Sequence, residues 1–334
     1  MDKMIREAMY WSKEGDAIRC ELCPHRCLIK VGKRGLCRSR LNSAGKLFAV
    51  NYQKSISISV DPIEKKPLYH YHPGSQILSA GPNSCNLSCF FCQNHPISQE
   101  DQPTMNFSFE IIKSIFAEYK NLPHRIALTY TEPFTWYEFI HDLAAEIPDL
   151  KIVLITNGFI MDEPLSEILP KIDAMNIDIK SINDEFYKKH CGGRVQPVLN
   201  TIKKANEQGV HVEVTNLLIP GLNDSEPEIT KLAKTMAEIN PEMPLHISAY
   251  HPDFKCDIPR TTSQEVMDAV KLAKQHLRWV YSGNIGWGSF TDTICEKCNQ
   301  TLIHRRPNHV KMLMTDEAEQ PVCKICNESV WGRF

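Results

Sequence analysis

Short runs of apolar and β-branched residues recur between residues 76 and 281, and between them lie longer stretches with apolar residues every three or four positions. The short runs have the length of buried strands, and the longer stretches have the period of amphipathic helices. The predicted strands are Gln76–Ala80, Ile126–Tyr130, Lys151–Thr156, Ala174–Ile179, Val210–Ile219, Leu245–Tyr250 and, as a last member, Arg278–Tyr281. The predicted helices are Phe109–Tyr119, Trp136–Ala145, Pro197–Gln208, Glu226–Glu238 and Ser263–His276.

This alternation predicts an α/β fold with a parallel sheet and right-handed crossovers. The units are fewer than the eight of a complete barrel, so we expect a partial (β/α)6 barrel. Upstream, Leu47–Tyr52 and the alternating segment Ser55–Val60 predict two further strands. We expect an N-terminal extension over 1–75, the barrel over 76–283 and a small C-terminal appendage over 284–334.

Composition narrows the class of protein. The chain has 334 residues, of which 42% are hydrophobic, so it can bury a substantial core. Its 38 basic and 40 acidic residues leave a formal net charge of −2, which argues against nucleic acid or an anionic membrane as the main partner. No apolar stretch approaches the roughly 20 residues of a membrane helix. The charged first residues contain no apolar segment typical of a secretory signal, so we expect a cytoplasmic location.

Cysteine is the unusual residue. All but two of the 13 cysteines fall into three tight groups, a distribution that suits metal or iron–sulfur sites better than disulfides. The groups are Cys20, Cys23, Cys27 and Cys37; Cys85, Cys89 and Cys92; and Cys295, Cys298, Cys323 and Cys326. Cys191 and Cys256 lie outside them and are interpreted as free thiols.

The central group has the spacing CxxxCxxC and follows the first predicted strand of the barrel, where active sites of such barrels lie. Three thiolates are one fewer than a [4Fe–4S] cluster binds when it is fully ligated by protein, so one iron would keep an open position. The alternative is a structural zinc site completed by a residue such as His95.

The two outer groups each supply four thiols. The C-terminal pair of CxxC motifs predicts a zinc-ribbon or rubredoxin-like site, with structural zinc favoured over an auxiliary iron–sulfur cluster. For the N-terminal group, zinc and [4Fe–4S] remain equally open. The basic residues between Lys30 and Arg40 either depress the pKa values of the thiols and offset the negative charge of a four-thiolate site, or form a solvated loop, and both interpretations stay open. Arg305 and Arg306 are interpreted as solvated charges.

The motifs together resemble a known family. The central triplet resembles that of the radical S-adenosylmethionine (SAM) superfamily, and the segments that follow resemble strand-end motifs of pyruvate formate-lyase activating enzymes. The full set is similar to the radical SAM member of the AMMECR/Memo/radical SAM three-protein system. The matching segments are Thr129-Tyr-Thr-Glu132-Pro133, Leu154-Ile-Thr156-Asn157-Gly158, Asn176-Ile-Asp178-Ile-Lys180, Asp61-Pro-Ile-Glu-Lys-Lys-Pro67, His72-Pro-Gly74, Cys92-Gln-Asn94, Ile219-Pro-Gly-Leu-Asn-Asp224 and His251-Pro-Asp253. One departure is Tyr130-Thr131, which replaces two glycines of the family pattern.

The resemblance implies a role for each matching residue. Cys85, Cys89 and Cys92 would hold a [4Fe–4S] cluster that binds SAM. Around the SAM, the implied contacts are Phe91 at the adenine, Asn94 as a hydrogen-bond partner, Glu132 at the ammonium group, Asp178 and Lys180 at the methionyl end or the substrate, His251 at the ribose, and Thr156 and Asn157 at the mouth of the site.

The implied chemistry is one-electron cleavage of SAM to methionine and a 5′-deoxyadenosyl radical, which takes a hydrogen atom from a substrate. The implied partners are a low-potential electron donor of ferredoxin or flavodoxin type and Memo-like and AMMECR-like proteins. Two alternatives stay open: a glycyl-radical-enzyme activase, and a non-catalytic module that binds zinc and iron–sulfur clusters. RNA methylation is not favoured, because the sequence shows no further catalytic cysteines or nucleic-acid-binding extension.

Overall fold

The computed structural model describes residues 5–307, 309–315 and 321–334. The strands in these residues are β1 (Arg6–Glu7), β2 (Trp11–Glu14), β3 (Ala17–Cys20), β4 (Leu28–Lys30), β5 (Arg40–Ser43), β6 (Lys46–Ala49), β7 (Lys54–Ser55), β8 (Ser57–Pro62), β9 (Gln76–Gly81), β10 (Met105–Asn106), β11 (Arg125–Leu128), β12 (Lys151–Thr156), β13 (Ala174–Asp178), β14 (His211–Leu218), β15 (Leu245–Ala249), β16 (Val280–Gly283), β17 (Thr293–Ile294), β18 (Thr301–Arg306) and β19 (His309–Met312). The α-helices are α1 (His95–Ser98), α2 (Phe109–Glu118), α3 (Tyr137–Glu146), α4 (Asp162–Ile168), α5 (Asp184–Phe186), α6 (Val195–Glu207), α7 (Glu226–Ile239) and α8 (Ser263–Ala273).

The central feature is an eight-stranded sheet in the order β8-β9-β11-β12-β13-β14-β15-β16. Every neighbouring pair is parallel except β8 and β9, which run antiparallel. The seven strands predicted between residues 76 and 281 are confirmed, with ends that differ by two residues at most. Strands β12, β14 and β15 are almost continuously buried, as expected for parallel strands covered on both faces.

The predicted helices are confirmed as α2, α3, α6, α7 and α8. Polar N-caps explain where several begin: Ser108 accepts from the Ile111 amide, and Thr262 forms a reciprocal capping box with Glu265. The sequence did not indicate α4, or the π-helix at Tyr187–Cys191, because both are short and lack a full amphipathic repeat.

The N-terminal segment forms two small antiparallel sheets, β2-β3-β4 and β1-β6-β5, and contributes β8 to the edge of the main sheet. The predicted strand Ser55–Val60 therefore appears as β8, two residues further along the chain. Strand β6 ends at Ala49, three residues before the predicted end. The domain boundaries at residues 75 and 283 stay predictions.

A buried carboxylate fixes the segment that connects β8 to β9. Glu213 accepts hydrogen bonds from the amides of Tyr69 (2.9 Å) and His70 (2.7 Å). Its oxygens also lie 3.0 Å from His211 Nε2 and 2.7 Å from His246 Nε2. Four polar partners compensate a charge that would be costly to bury alone, so this segment is held against β14 and β15.

The C-terminal region packs on the same segment. Arg305 is fully buried, donates to the Tyr69 carbonyl oxygen (2.6 Å) and lies against the Tyr69 ring. The interpretation of Arg305 as a solvated charge is wrong, because three carbonyl or hydroxyl oxygens take up its guanidinium hydrogens. Further along, the His72 amide donates to the Arg333 carbonyl (2.6 Å) and the Arg333 amide to the His70 carbonyl (2.7 Å).

Gly81 ends β9 and lies beside Thr129, the residue that follows β11. A Cβ atom at this position would lie far inside van der Waals contact with the Thr129 carbonyl oxygen, a backbone atom that cannot rotate away. Glycine is therefore required here by space between two neighbouring strands.

Gly81→Ala should lower the free energy of unfolding by about 3 kcal/mol, because backbone must move to admit the methyl group. Gly288→Ala is the matched control, since nothing lies within 4 Å of its added Cβ and its φ is not positive. Urea-induced unfolding of both variants and the parent measures the difference. Equal losses in the two variants would contradict the steric argument.

The pH dependence of the free energy of unfolding should show the contribution of buried His70. Burial lowers the pKa of His70 to about 3, whereas the unfolded chain binds this proton near the ordinary value of 6.5. Unfolding therefore takes up a proton between these values, and stability falls as pH falls from about 6.5 toward 3. From pH 7 to 5 we expect His70 to account for a loss of about 2 kcal/mol. His70→Gln should flatten that part of the profile, whereas exposed His124→Gln should keep the parent's profile; an unchanged slope in His70→Gln would refute the assignment.

Candidate active site

The central cysteines lie in the loop that follows β9. Neighbouring segments hold this loop through its backbone: the Ser88 amide donates to the Cys191 carbonyl (2.9 Å) and the Phe90 amide to the His190 carbonyl (3.1 Å). The π-helix Tyr187–Cys191, which follows β13, supplies both acceptors. The loop that carries Cys85, Cys89 and Cys92, here called the thiol loop, is thus held in place by an element that the sequence did not predict.

Each thiol has a polar neighbour. Cys85 Sγ lies 3.7 Å from Asn157 Nδ2, and Cys92 Sγ lies 3.2 Å from Ser98 Oγ. The Cys191 thiol is a neighbour of the Cys89 thiol. Burial raises the pKa of the Cys85 thiol well above its usual value, and for Cys89 the contact with Cys191 and burial act in the same direction. Metal binding must therefore displace protons from these thiols.

The three cysteines open onto one cavity of about 370 Å³. This volume falls in the range of small-molecule sites. Most of its lining comes from the carboxyl ends of the parallel strands and the loops that follow them, where such folds place their ligands. The other lining residues are Lys65, Pro67, Leu87, Phe91, Gln93, Asn94, Ser98, Tyr130, Thr131, Asn157, Asp178, Lys180, Thr215, Leu217, Ser248 and Asn284.

Phe91 and Asn94 both lie at this cavity. Phe91 is buried and packs on Phe186 with ring centroids 5.9 Å apart. Asn94 donates from Nδ2 to the Tyr130 carbonyl (2.8 Å). The structure therefore provides an apolar ring and an amide group on the wall next to the thiols.

Asp178 and Lys180 form an ion pair inside the cavity, with 3.1 Å between Oδ2 and Nζ. Burial lowers the pKa of Lys180, but the Asp178 carboxylate and the thiols of Cys89 and Cys191 together outweigh this effect, so the pKa is raised overall. Lys180 therefore stays protonated at neutral pH. A charged pair that faces a cavity can exchange partners with a zwitterionic ligand.

Glu132, Thr156 and Asn157 form a network behind the cavity wall. The Glu132 carboxylate accepts from Thr156 Oγ1 (2.7 Å), the Asn157 amide (2.7 Å) and the Phe134 amide (2.9 Å). Burial raises the pKa of Glu132 to about 7, although these hydrogen bonds lower it. Neither Glu132 nor Thr156 lines the cavity, whereas Asn157 does and reaches Cys85. In this arrangement Glu132 acts on the site through Asn157.

The structure does not bring His251 into the cavity. Its side chain is exposed and lies at a neighbouring surface depression with Arg260 and Thr262. Only its carbonyl approaches the site, 3.5 Å from Gln93 Nε2. The expectation that His251 lies at the ribose side of the cavity does not fit this placement, because the loop after β15 turns the ring toward solvent.

Several cavity residues were not singled out from the sequence. Lys65 and Pro67 belong to a segment that the family resemblance included, so a signal existed for them. Tyr130 also belongs to a matching segment, whereas Asn284 gave no signal; both have positive φ angles, of 72° and 60°, which the surrounding fold sets. Tyr130 adopts the left-handed conformation that glycine favours, so the residue that replaces the first glycine keeps a backbone conformation open to glycine.

His95 is the residue considered above as a fourth ligand of a zinc site. Its ring stacks on Phe254 with centroids 4.6 Å apart, and it does not line the cavity.

The C-terminal cysteines converge on one point. All four sulfur atoms of Cys295, Cys298, Cys323 and Cys326 lie within 4.8 Å of one another. Two of the pairs are separated by 3.5 Å. The predicted four-thiol cluster is confirmed as a geometry able to bind a metal ion. The N-terminal cysteines Cys20, Cys23, Cys27 and Cys37 line a cavity of their own.

Comparisons with known proteins agree with this geometry. Residues 81–233 match the profile of the Radical SAM superfamily. An uncharacterized protein of Methanocaldococcus jannaschii is 42% identical over 335 aligned positions, which cover 98% of this chain and 99% of that protein. A probable GTP 3′,8-cyclase of Archaeoglobus fulgidus is 31% identical over 147 residues, covering 42% of this chain and 48% of that protein. Pyruvate formate-lyase 1-activating enzyme of Escherichia coli K12 is 20% identical over 206 residues, covering 56% and 83%.

The chain contains a Radical SAM domain over residues 81–233 and belongs to the same family as the Methanocaldococcus protein. Its homology to pyruvate formate-lyase activating enzymes is confirmed, and so is the prediction that it is an enzyme. The non-catalytic alternative is therefore not retained. Within the residues that the structure describes, no helix is long and apolar enough to cross a membrane.

Glu132→Ala should destabilise the fold by about 3 kcal/mol, because two buried amides and a hydroxyl lose their acceptor. Glu118→Ala, at the exposed end of α2, is the control and should change stability little. Urea-induced unfolding followed by tryptophan fluorescence measures both. A Glu132 variant as stable as the control would show that the network is not needed to hold the strand ends.

Proposed function

We propose that this enzyme cleaves SAM reductively and uses the resulting 5′-deoxyadenosyl radical to take a hydrogen atom from a substrate that is still to be identified. One observation carries the proposal. Cys85, Cys89 and Cys92 share a single cavity with the Asp178–Lys180 ion pair and with Asn94.

The residues present fit the cofactors. Thiolates are the donors that iron–sulfur clusters take, and the cavity lining includes three cysteines rather than four. Cys85, Cys89 and Cys92 would hold a [4Fe–4S] cluster. When bound, the cluster and SAM supply the one-electron chemistry that breaks the S–C5′ bond.

The chain's own residues bind and orient the cosubstrate. Asn94 offers its amide group to the cosubstrate from the cavity wall, and Phe91 offers an apolar face to the adenine. The Asp178 carboxylate and the Lys180 ammonium complement the charges of an amino acid group. Glu132 and Thr156 hold Asn157 against Cys85, and in this proposal they are positioning residues. A ribose contact by His251 would require its loop to turn inward.

The architecture fits this assignment. We propose that the sheet curves into a partial (β/α)6 barrel around the cavity, with an N-terminal extension and a C-terminal appendage. The C-terminal quartet would hold structural zinc, because 3.5 Å between paired sulfurs is close to the roughly 3.8 Å that four Zn–S bonds impose. A ferredoxin- or flavodoxin-type donor would supply the electron. Membership of the AMMECR/Memo/radical SAM system, with Memo-like and AMMECR-like partners, remains part of the proposal.

A second candidate is activation of a glycyl radical enzyme. The alignment with the Escherichia coli activating enzyme, which spans 83% of that protein, favours it. In that case the hydrogen would come from the backbone of a partner protein. A radical that persists on a second protein, seen by electron paramagnetic resonance, would distinguish this function from small-molecule turnover.

The deciding experiment measures 5′-deoxyadenosine after anaerobic reconstitution with iron and sulfide, reduction and addition of SAM. We expect product from the parent and none from the combined variant Cys85→Ala, Cys89→Ala and Cys92→Ala. Cys256→Ala is the control, because this cysteine is buried outside the cavity lining and should leave product formation unchanged. Product at the parent's level from the triple variant would contradict the proposal.

A further inference from the structure

The four N-terminal cysteines surround an enclosed space beside the main sheet. Cys20 ends β3, Cys23 and Cys27 lie on the turn between β3 and β4, and Cys37 lies before β5. The turn is closed by a hydrogen bond from the Cys20 amide to the Cys27 carbonyl (3.0 Å). All four side chains line one cavity, together with apolar residues Leu22, Ile29, Leu36 and Phe134. Its interior is wide enough to admit a water-sized sphere.

The C-terminal quartet provides a direct comparison within the same chain. Its four sulfur atoms lie within 4.8 Å of one another, as a single tetrahedral ion requires. Among the described residues, no three sulfur atoms of the N-terminal group meet that limit, and the same holds for the central triplet. In both of these groups, therefore, every set of three sulfur atoms includes at least one separation above 4.8 Å, which is wider than in the C-terminal ion site.

A buried charge faces the same space. Arg40 lines the cavity and is 1% exposed, and its Nη1 pairs with Glu138 Oε1 (2.6 Å). In the described part of the chain, Arg40 Nε and Nη2 have no hydrogen-bond partner. Glu138 is not among the lining residues. Unpaired N–H donors in a buried guanidinium are costly, so their presence beside four thiols points to an anionic group that accepts from them.

We propose that Cys20, Cys23, Cys27 and Cys37 hold an auxiliary [4Fe–4S] cluster rather than zinc. Four thiolates close its coordination, so it binds no substrate at iron. Its inorganic core explains the wide spacing of the sulfur atoms, and its negative charge and sulfides explain the free donors of Arg40. This assignment concerns the metal only and stands independently of the reaction proposed for the central site.

The proposed cluster would lie next to the loop that carries Cys85, Cys89 and Cys92. Asn86, the residue after Cys85, lines the N-terminal cavity and accepts from Asn157 Nδ2 (2.8 Å). On the opposite side Leu36 lines the cavity and is 67% exposed. The auxiliary cluster would therefore lie just beneath the surface, with the catalytic loop behind it.

The test uses the full chain in which Cys85, Cys89 and Cys92 are replaced by alanine, reconstituted anaerobically with iron, sulfide and zinc. This variant should retain about four iron and four sulfide per chain and the Mössbauer spectrum of a [4Fe–4S]²⁺ cluster. Replacing Cys20, Cys23, Cys27 and Cys37 by alanine as well should remove this iron and leave about one zinc at the C-terminal site. The control Cys256→Ala should keep the iron content of the parent.

A triple variant that folds, contains about two zinc and lacks sulfide would overturn the proposal. Circular dichroism establishes whether each variant is folded. If the triple variant does not fold, native mass spectrometry of the parent still decides: two clusters and one zinc support the assignment, and one cluster and two zinc refute it. None of these readouts requires SAM cleavage, so failure of the proposed reaction remains distinguishable from failure of this assignment.

Discussion

The architecture depends on one buried carboxylate. Glu213 lies buried on β14 and accepts from two backbone amides of the segment between β8 and β9 while facing two histidines. An uncompensated charge there would be incompatible with folding, so the segment has little freedom. The same segment carries Lys65 and Pro67 into the catalytic cavity and presents Tyr69 to Arg305 of the C-terminal region. One electrostatic requirement thereby ties the sheet, the cavity and the appendage together.

The strands and main helices were predictable because their patterns are local. A buried parallel strand needs only a short apolar run, and β12 matches its prediction residue for residue. Elements whose form depends on partners were not predictable. The π-helix at Tyr187–Cys191 has no sequence period, and it brings Cys191 beside Cys89 only because the thiol loop packs there. Arg305 looks like any solvated arginine until the aromatic residues around it are placed.

The functional site also combines features that the sequence predicts with features that depend on tertiary packing. Asp178 and Lys180, at the end of a strand, were assigned to the site through the family resemblance, and the structure places both at the cavity. The sequence did not indicate whether each of these side chains would line the cavity, lie behind its wall or lie outside it. Glu132 lies behind the cavity wall and His251 lies outside it, because each position depends on how its loop turns after the strand. The spacing of sulfur atoms is also a tertiary property, so equal numbers of cysteines at the two ends of the chain gave no indication that their sites differ in width.

The contacts between Arg333 and the segment at His70 and His72 have a consequence for the enzyme as a whole. The region that holds the C-terminal thiols is clamped to the stretch of backbone that also forms one wall of the catalytic cavity. An ion bound far from the reacting atoms would then help to set the shape of the space in which they meet. Removal of that ion would therefore be expected to lower activity in the way that an active-site substitution does, with every catalytic residue intact.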